Sequence, residues 1–174
     1  MRRLMLLRHA KSDHARGLAD IDRPLAARGR EAAPRMAAYL AAEGLLPDLA
    51  LVSSSRRTRE TWDLVGPALG AVEARFEPRI YEAPDSRLLE VLREVGPEVR
   101  TVLMIGHNPG FADLARGLVG HGDRYAFARL LEKYPTAALA VIDFDAEDWN
   151  SVAARTGRLE RFVTPKGIGA GEDD

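Results

Sequence analysis

Apolar residues in this chain fall into short continuous runs, separated by longer stretches in which they recur at near-helical spacing. Leu4-Met5-Leu6-Leu7 is the first run, closed by Arg8 and His9. A run this short, with no polar residue inside it, fits a strand buried on both faces. Leu49-Ala50-Leu51-Val52 is the second, Val72 to Phe76 a weaker third, and Thr101 to Ile105 the clearest. Ala137 to Phe144 predicts a long core strand, and Leu159 to Val163 a final edge strand. Between the runs, Met36, Ala37, Tyr39 and Leu40 predict a helix over Arg28 to Glu43, with Gly44 as its stop. Pro34 predicts a kink there, or a start nearby. A helix from about Thr58 to Leu69 would bury Thr61, Trp62, Val65 and Leu69, and Gly66-Pro67 weakens its last turn. Asp85-Ser86 predicts the cap of a helix carrying Leu88, Leu89, Leu92 and Val95. Two more helices are expected over Phe111 to Leu118 and Tyr125 to Glu132.

Strands alternating with helices imply an α/β protein: a three-layer sandwich with a mainly parallel central sheet and helices on both faces. A length of 174 residues, 46% of them hydrophobic and 29% charged, suits one globular domain, residues 1–164. Residues 165–174, rich in glycine and acid, have the composition of a disordered tail. The net charge of −1 argues against a dedicated nucleic-acid binder. The absence of cysteine excludes disulfides and thiol chemistry, and leaves a zinc ion only His and carboxylate ligands. Met1-Arg2-Arg3 looks like the start of a signal peptide, but the apolar run behind it is shorter than the roughly 7–15 residues such a signal needs. No apolar run approaches the ~18 residues of a membrane span. The expectation is a cytoplasmic protein with neither a membrane nor a nucleic acid as partner.

Three of the strands end in polar groups: Arg8-His9, Ser53 to Arg57, and Gly106-His107. In a parallel sheet those ends lie at one edge, where open α/β sheets place their ligands. Two Arg and two His at one mouth form a cationic pocket suited to phosphate, because guanidinium groups give planar, bidentate donors to its oxygens. A histidine there can act as nucleophile, forming a phosphohistidine that water then hydrolyses. Neighbouring cations lower its pKa and keep the imidazole neutral. Taken singly, His107 also fits a loop histidine, and Arg56, Arg57 and Arg59 a charged helix face. It is their coincidence at three strand ends that points to chemistry.

The combination Leu6-Leu7-Arg8-His9-Ala10, Ser53-x-x-x-Arg57-x-x-x-Thr61 and Ile105-Gly106-His107-Asn108-Pro109-Gly110 resembles the histidine phosphatase superfamily, closest to its small phosphohistidine phosphatases of the SixA type. Asp22-Arg23-Pro24-Leu25 with Arg28-Gly29 resembles the segment before that family's first helix. The resemblance covers about residues 3 to 163 and implies a phosphoglycerate mutase-like fold. It makes His9 the phosphate acceptor, and Arg8, Arg57 and His107 the phosphate clamp. Lys11 and Ser12 are further candidates for binding the substrate. The family is best known for Arg-His-Gly, and here Ala10 takes the third place. Larger relatives use a glutamate between the second Arg and the second His as general acid. Glu82 is the best-placed candidate, with Glu77, Asp85 and Asp13 as alternatives.

The resemblance implies a phosphatase that needs no metal or other cofactor. Its expected partner is a phosphohistidine-bearing protein, such as a phosphotransfer domain, or a small phosphorylated substrate. Only 48 residues separate Arg57 from Gly106, too few for a large lid, and an open mouth suits a macromolecular substrate. The alternatives are a small-molecule phosphomonoesterase or mutase, and a non-catalytic phosphate-binding module.

Overall fold

The structure is a computed structural model describing residues 1–169 and 173. Its strands are β1 (Arg2–Arg8), β2 (Leu49–Ser53), β3 (Glu73–Glu77), β4 (Thr101–Gly106), β5 (Val119–Gly122), β6 (Leu139–Phe144) and β7 (Gly157–Val163). Its helices are α1 (Ala27–Ala42), α2 (Arg56–Val65), α3 (Asp85–Arg93), α4 (Gly110–Leu118) and α5 (Arg124–Glu132). All seven strands form one sheet in the order β3-β2-β4-β1-β6-β7-β5. β3, β2, β4 and β1 run parallel; β6 is antiparallel to β1, β7 antiparallel to β6, and β5 parallel to β7.

Alternation along β1 explains its unbroken apolar run. Met5 and Leu7 pack with Met36 and Leu40 of α1 and Val65 of α2 on one face of the sheet. Leu4 and Leu6 pack with Leu88 and Leu92 of α3, Phe111 and Leu114 of α4, and Leu130 of α5 on the other. Both faces are therefore covered, and a polar residue inside the strand would be buried without a partner, at a cost of a few kcal/mol. Arg8 and His9 stand where that constraint ends. Among the described residues no helix is long and apolar enough to cross a membrane.

Six details differ from the sequence-based expectation. β7 is not an edge strand, because β5 lies outside it. β5 reads Val-Gly-His-Gly, with no apolar alternation to betray a strand. α1 runs through Pro34, which is exposed. Its ring therefore faces solvent on a helix already anchored by Ala33, Met36 and Ala37. α2 starts two residues earlier than expected, at Arg56, capped by Ser55, and becomes a 3-10 turn at Gly66–Leu69, where Pro67 has no N–H to offer. α3 begins at Asp85 itself, with Pro84 at the cap position and no side-chain cap. In the segment expected to be a tail without structure, Lys166–Ile168 form a 3-10 turn, with Gly167 N–H donating to Thr164 Oγ1 at 3.1 Å. Residues 170–172 and 174 lie outside the described residues.

Candidate active site

Parallel register sets the site. Arg8 at the end of β1 lies beside Gly106 at the end of β4, and Val52 of β2 lies beside Ile105 of β4. The chain leaving each strand therefore emerges at one edge. There His9, Arg8, Arg57 and His107 line a cavity of about 260 Å³, together with Lys11, Ser12, Arg23 and Asn108. The rings of His9 and His107 are 5.4 Å apart, centroid to centroid.

The loop carrying His9 is pinned on three sides. His9 N–H donates to the Gly106 carbonyl at 3.0 Å, and Ala137 N–H donates to the carbonyls of Arg8 and His9. Ala10 N–H donates to Thr61 Oγ1 at 3.1 Å, and that hydroxyl donates to the Arg57 carbonyl at 2.7 Å. One threonine thus ties the His9 loop to the turn of α2 that bears Arg57. Ala10 is fully buried and is not in the left-handed region, so the residue standing where the family has glycine fits without strain. Gly29 of α1 allows a close approach, since a Cβ there would meet the Lys11 carbonyl oxygen at 2.2 Å.

The ring nitrogens can be assigned from their partners. His9 Nδ1 is 2.7 Å from the Ala10 carbonyl oxygen, which can only accept. Nδ1 therefore carries the proton, and Nε2 keeps its lone pair. His107 Nε2 is 2.7 Å from Ser53 Oγ, and Arg57 Nη2 approaches His107 Nδ1 at 3.4 Å. Guanidinium cannot accept, so Nδ1 accepts and Nε2–H donates to Ser53. Burial holds the His9 pKa well below 6.5, and the charges of His107, Arg8 and Arg57 add to it against the Ala10 hydrogen bond. Burial, then Arg57, lowers His107 to about 3. Both rings are neutral near pH 7, with burial the larger cause and the neighbouring cations the smaller.

The guanidinium groups are anchored at one end and incomplete at the other. Arg8 Nη1 donates to the Tyr134 carbonyl at 3.0 Å, which also accepts from Asn108 Nδ2 at 2.8 Å. Arg57 is 6% exposed and donates to both the carbonyl and the carboxylate of Asp20. The Nε groups of Arg8 and Arg57 are buried with no hydrogen-bond partner. Ser12 Oγ accepts from Arg23 Nη1 at 3.2 Å, and the same nitrogen reaches the Asp13 carbonyl and His14 Nδ1. Arg56 turns outward and pairs with Glu60.

Glu82 is not brought to the cavity. It is exposed, at φ 53°, and its carboxylate lies beside the Tyr81 hydroxyl at the rim. Tyr81 packs edge-on against His107, ring centroids 5.5 Å apart, while Glu82 is not among the residues that line the cavity. Asp13 and Asp85 are exposed, and neither lines the cavity. Asp20 and Tyr81 were not singled out by sequence, and Arg23 entered only as part of the segment before the first helix. Asp20 is one of three aspartates within 13–22, a polar stretch with no periodicity to rank them. Among the described residues, no three His, Asp or Glu side chains are gathered to hold a metal ion.

The family model of the histidine phosphatase superfamily (branch 1) matches residues 4–88. An uncharacterised protein of Mycobacterium tuberculosis is 35% identical over 162 residues, covering 92% of this chain and all of that one. A protein from Agrobacterium tumefaciens named for the phosphohistidine phosphatase SixA is 30% identical, with a TM-score of 0.80 over 94% of this chain and 98% of that one. The protein histidine phosphatase SixA in complex with tungstate superposes with a TM-score of 0.73 over 95% of this chain and 99% of that one. At 22% identity, that last likeness speaks to the fold alone.

Proposed function

The chain belongs to the histidine phosphatase superfamily and is a phosphatase; from that premise we propose that His9 is its nucleophile, that the reaction needs no metal, and that the substrate is a phosphohistidine on a protein. The observation that carries the first point is the hydrogen bond from His9 Nδ1 to the Ala10 carbonyl. It supports the neutral tautomer that keeps a lone pair on Nε2, in a histidine that lines the cationic cavity.

In the first step, Nε2 attacks phosphorus as the bond to the leaving group breaks. Arg8 and Arg57 stabilise the equatorial oxygens, and their buried, unpartnered Nε groups show that the donor set is not yet satisfied. His107 contributes in its other neutral tautomer: its proton moves from Nε2 to Nδ1 by exchange with water, the Ser53 hydroxyl turns to donate to the freed Nε2, and Nδ1–H donates to the phosphoryl group. In the second step, water attacks phosphorus, the P–Nε2 bond breaks, and His9 returns to its neutral state with inorganic phosphate released. A leaving imidazole protonated at its other nitrogen departs as a neutral ring, so a phosphohistidine substrate needs no strong general acid. That fits a site whose candidate acids are turned elsewhere: Glu82, Asp13 and Asp85 are exposed, and the half-buried Glu77 is paired with Arg79. It also favours phosphohistidine over an aliphatic ester. The proposed roles of Lys11 and Ser12 are secondary: both line the cavity, and Ser12 holds Arg23 against it.

A substrate panel in EDTA tests this reading. Turnover of a phosphohistidine protein and of an aryl phosphate is expected to be unchanged by chelation. Aliphatic esters are expected to be slower by about 10²-fold or more, since they alone need a proton donor. Activity lost in EDTA and restored by Zn²⁺ or Mn²⁺ would overturn metal independence. Fastest turnover of an aliphatic ester would overturn the substrate class.

A further inference from the structure

A carboxylate beside an anion site opposes the charge of its ligand, yet Asp20 holds Arg57 at the rim of this one. Residues 13–25 form a strap between β1 and α1. Its base is closed by Asp13 N–H donating to the Pro24 carbonyl and Ala26 N–H donating to the Lys11 carbonyl. Its tip is a 3-10 turn, Asp20–Asp22, with no buried residue. Apolar packing therefore does little to hold the tip, and polar contacts through Asp20 take its place. The carboxylate accepts from the Tyr81 hydroxyl, from Arg57 Nη2 at 3.1 Å and from Arg23 Nε at 3.1 Å. The Asp20 carbonyl accepts from Arg57 Nη1 at 2.8 Å.

Those contacts select one edge of the Arg57 guanidinium. Nη1 and Nη2 together are its end edge, and Asp20 takes both. The side edge, made of Nε and the second hydrogen of Nη2, is left facing His107, whose Nδ1 is 3.4 Å from Nη2. Nε has no partner. A bidentate arginine recognises an oxyanion through one such edge, and the direction of the planar fork decides whether it can. Tyr81 closes the arrangement, its ring 6.0 Å from the Arg57 guanidinium carbon.

We propose that Asp20 is a positioning residue for phosphate binding, acting through Arg57 by occupying the end edge of its guanidinium and turning the side edge toward the reacting phosphoryl group. The proposal rests on the reading of this cavity as the phosphate site. Asp20 is held ionised by the Tyr81 hydroxyl first and then by Arg57, which together lower its pKa to about 2 against the opposing effect of burial. It therefore stays a carboxylate at any pH at which the enzyme works, and it cannot be the missing proton donor.

A double-mutant cycle read by calorimetric titration with tungstate tests this. Asp20→Ala is expected to weaken tungstate binding by about tenfold, the size typical of coupled neighbours. In an Arg57→Ala background the same substitution is expected to change binding by less than about twofold, because the residue it acts through is gone. Asp20→Asn keeps an oxygen where Arg57 needs an acceptor and is expected to stay within about threefold of the parent. It also serves if Asp20→Ala fails to fold. An equal loss in both backgrounds, no loss, tighter binding, or an Asn variant as weak as Ala would overturn the positioning role. A parent protein that binds no tungstate would overturn the phosphate site itself, an outcome distinct from the others.

Discussion

Two ring nitrogens decide what this site can do. His9 is useful as a nucleophile only while Nε2 is unprotonated, and burial secures that state before any neighbouring charge does. The consequence for stability has a definite sign. His9 and His107 have folded pKa values below that of a free imidazole. Below about pH 6.5 the unfolded chain therefore binds more protons than the folded one, and stability falls as the pH falls. Each histidine adds on the order of 1 kcal/mol per pH unit well below that point. Urea midpoints measured from pH 7.5 to pH 5 are expected to drop, and His9→Ala is expected to show a shallower drop. Flat midpoints in both proteins would mean that the rings are not held neutral by the fold. Glu82 gives a second expectation at this level. Glu82→Gln should alter phosphohistidine turnover by less than about threefold, because the carboxylate lies outside the cavity. A loss of ~10²–10⁴-fold confined to aliphatic esters would make it the general acid after all.

At the level of elements, β1, β4 and α2 hold the site, and Thr61 joins the loop after β1 to α2. Its hydroxyl accepts from Ala10 N–H and donates to the Arg57 carbonyl. Thr61→Val keeps the shape but leaves a buried N–H without an acceptor, at a cost of about 1–3 kcal/mol. Thermal melting should show that loss, and kcat/KM should fall with it, since the His9 loop is freed from α2. A variant with wild-type activity would show that β4 and Ala137 suffice to position the loop. The strand ends that carry His9, Arg57 and His107 were legible in the sequence because a doubly covered strand must be apolar until it ends. Arg8-His9 and Gly106-His107 mark where β1 and β4 leave the core. Asp20 and Tyr81 were not legible. Their partners lie 37 and 61 residues away in the chain, across turns that have no period. β5 escaped for a related reason: two glycines and a histidine in four residues carry no strand pattern, and its place is set by β7.

In the whole molecule, the sheet separates two tasks. Its two covered faces supply the stability, and one edge supplies the chemistry, so substitutions at His9 should abolish turnover without unfolding the protein. The mixed topology serves that separation. Four parallel strands bring β1, β2 and β4 to a common edge, while the antiparallel β6 and β7 extend the core on the other side of β1. A covalent route through His9 makes one demand that no binding module or direct hydrolase would meet: phosphorus must pass through Nε2. Acid is expected to destroy such an adduct and alkali to spare it. The decisive measurement is therefore to mix enzyme with ³²P-labelled substrate, quench within the first turnover in alkali, and map the label. The label should sit on His9, survive alkali and disappear in acid, and His9→Ala should carry none while remaining folded. Label of the same stability on His9→Ala, or label mapped to another residue of the parent enzyme, would show that His9 is not the nucleophile.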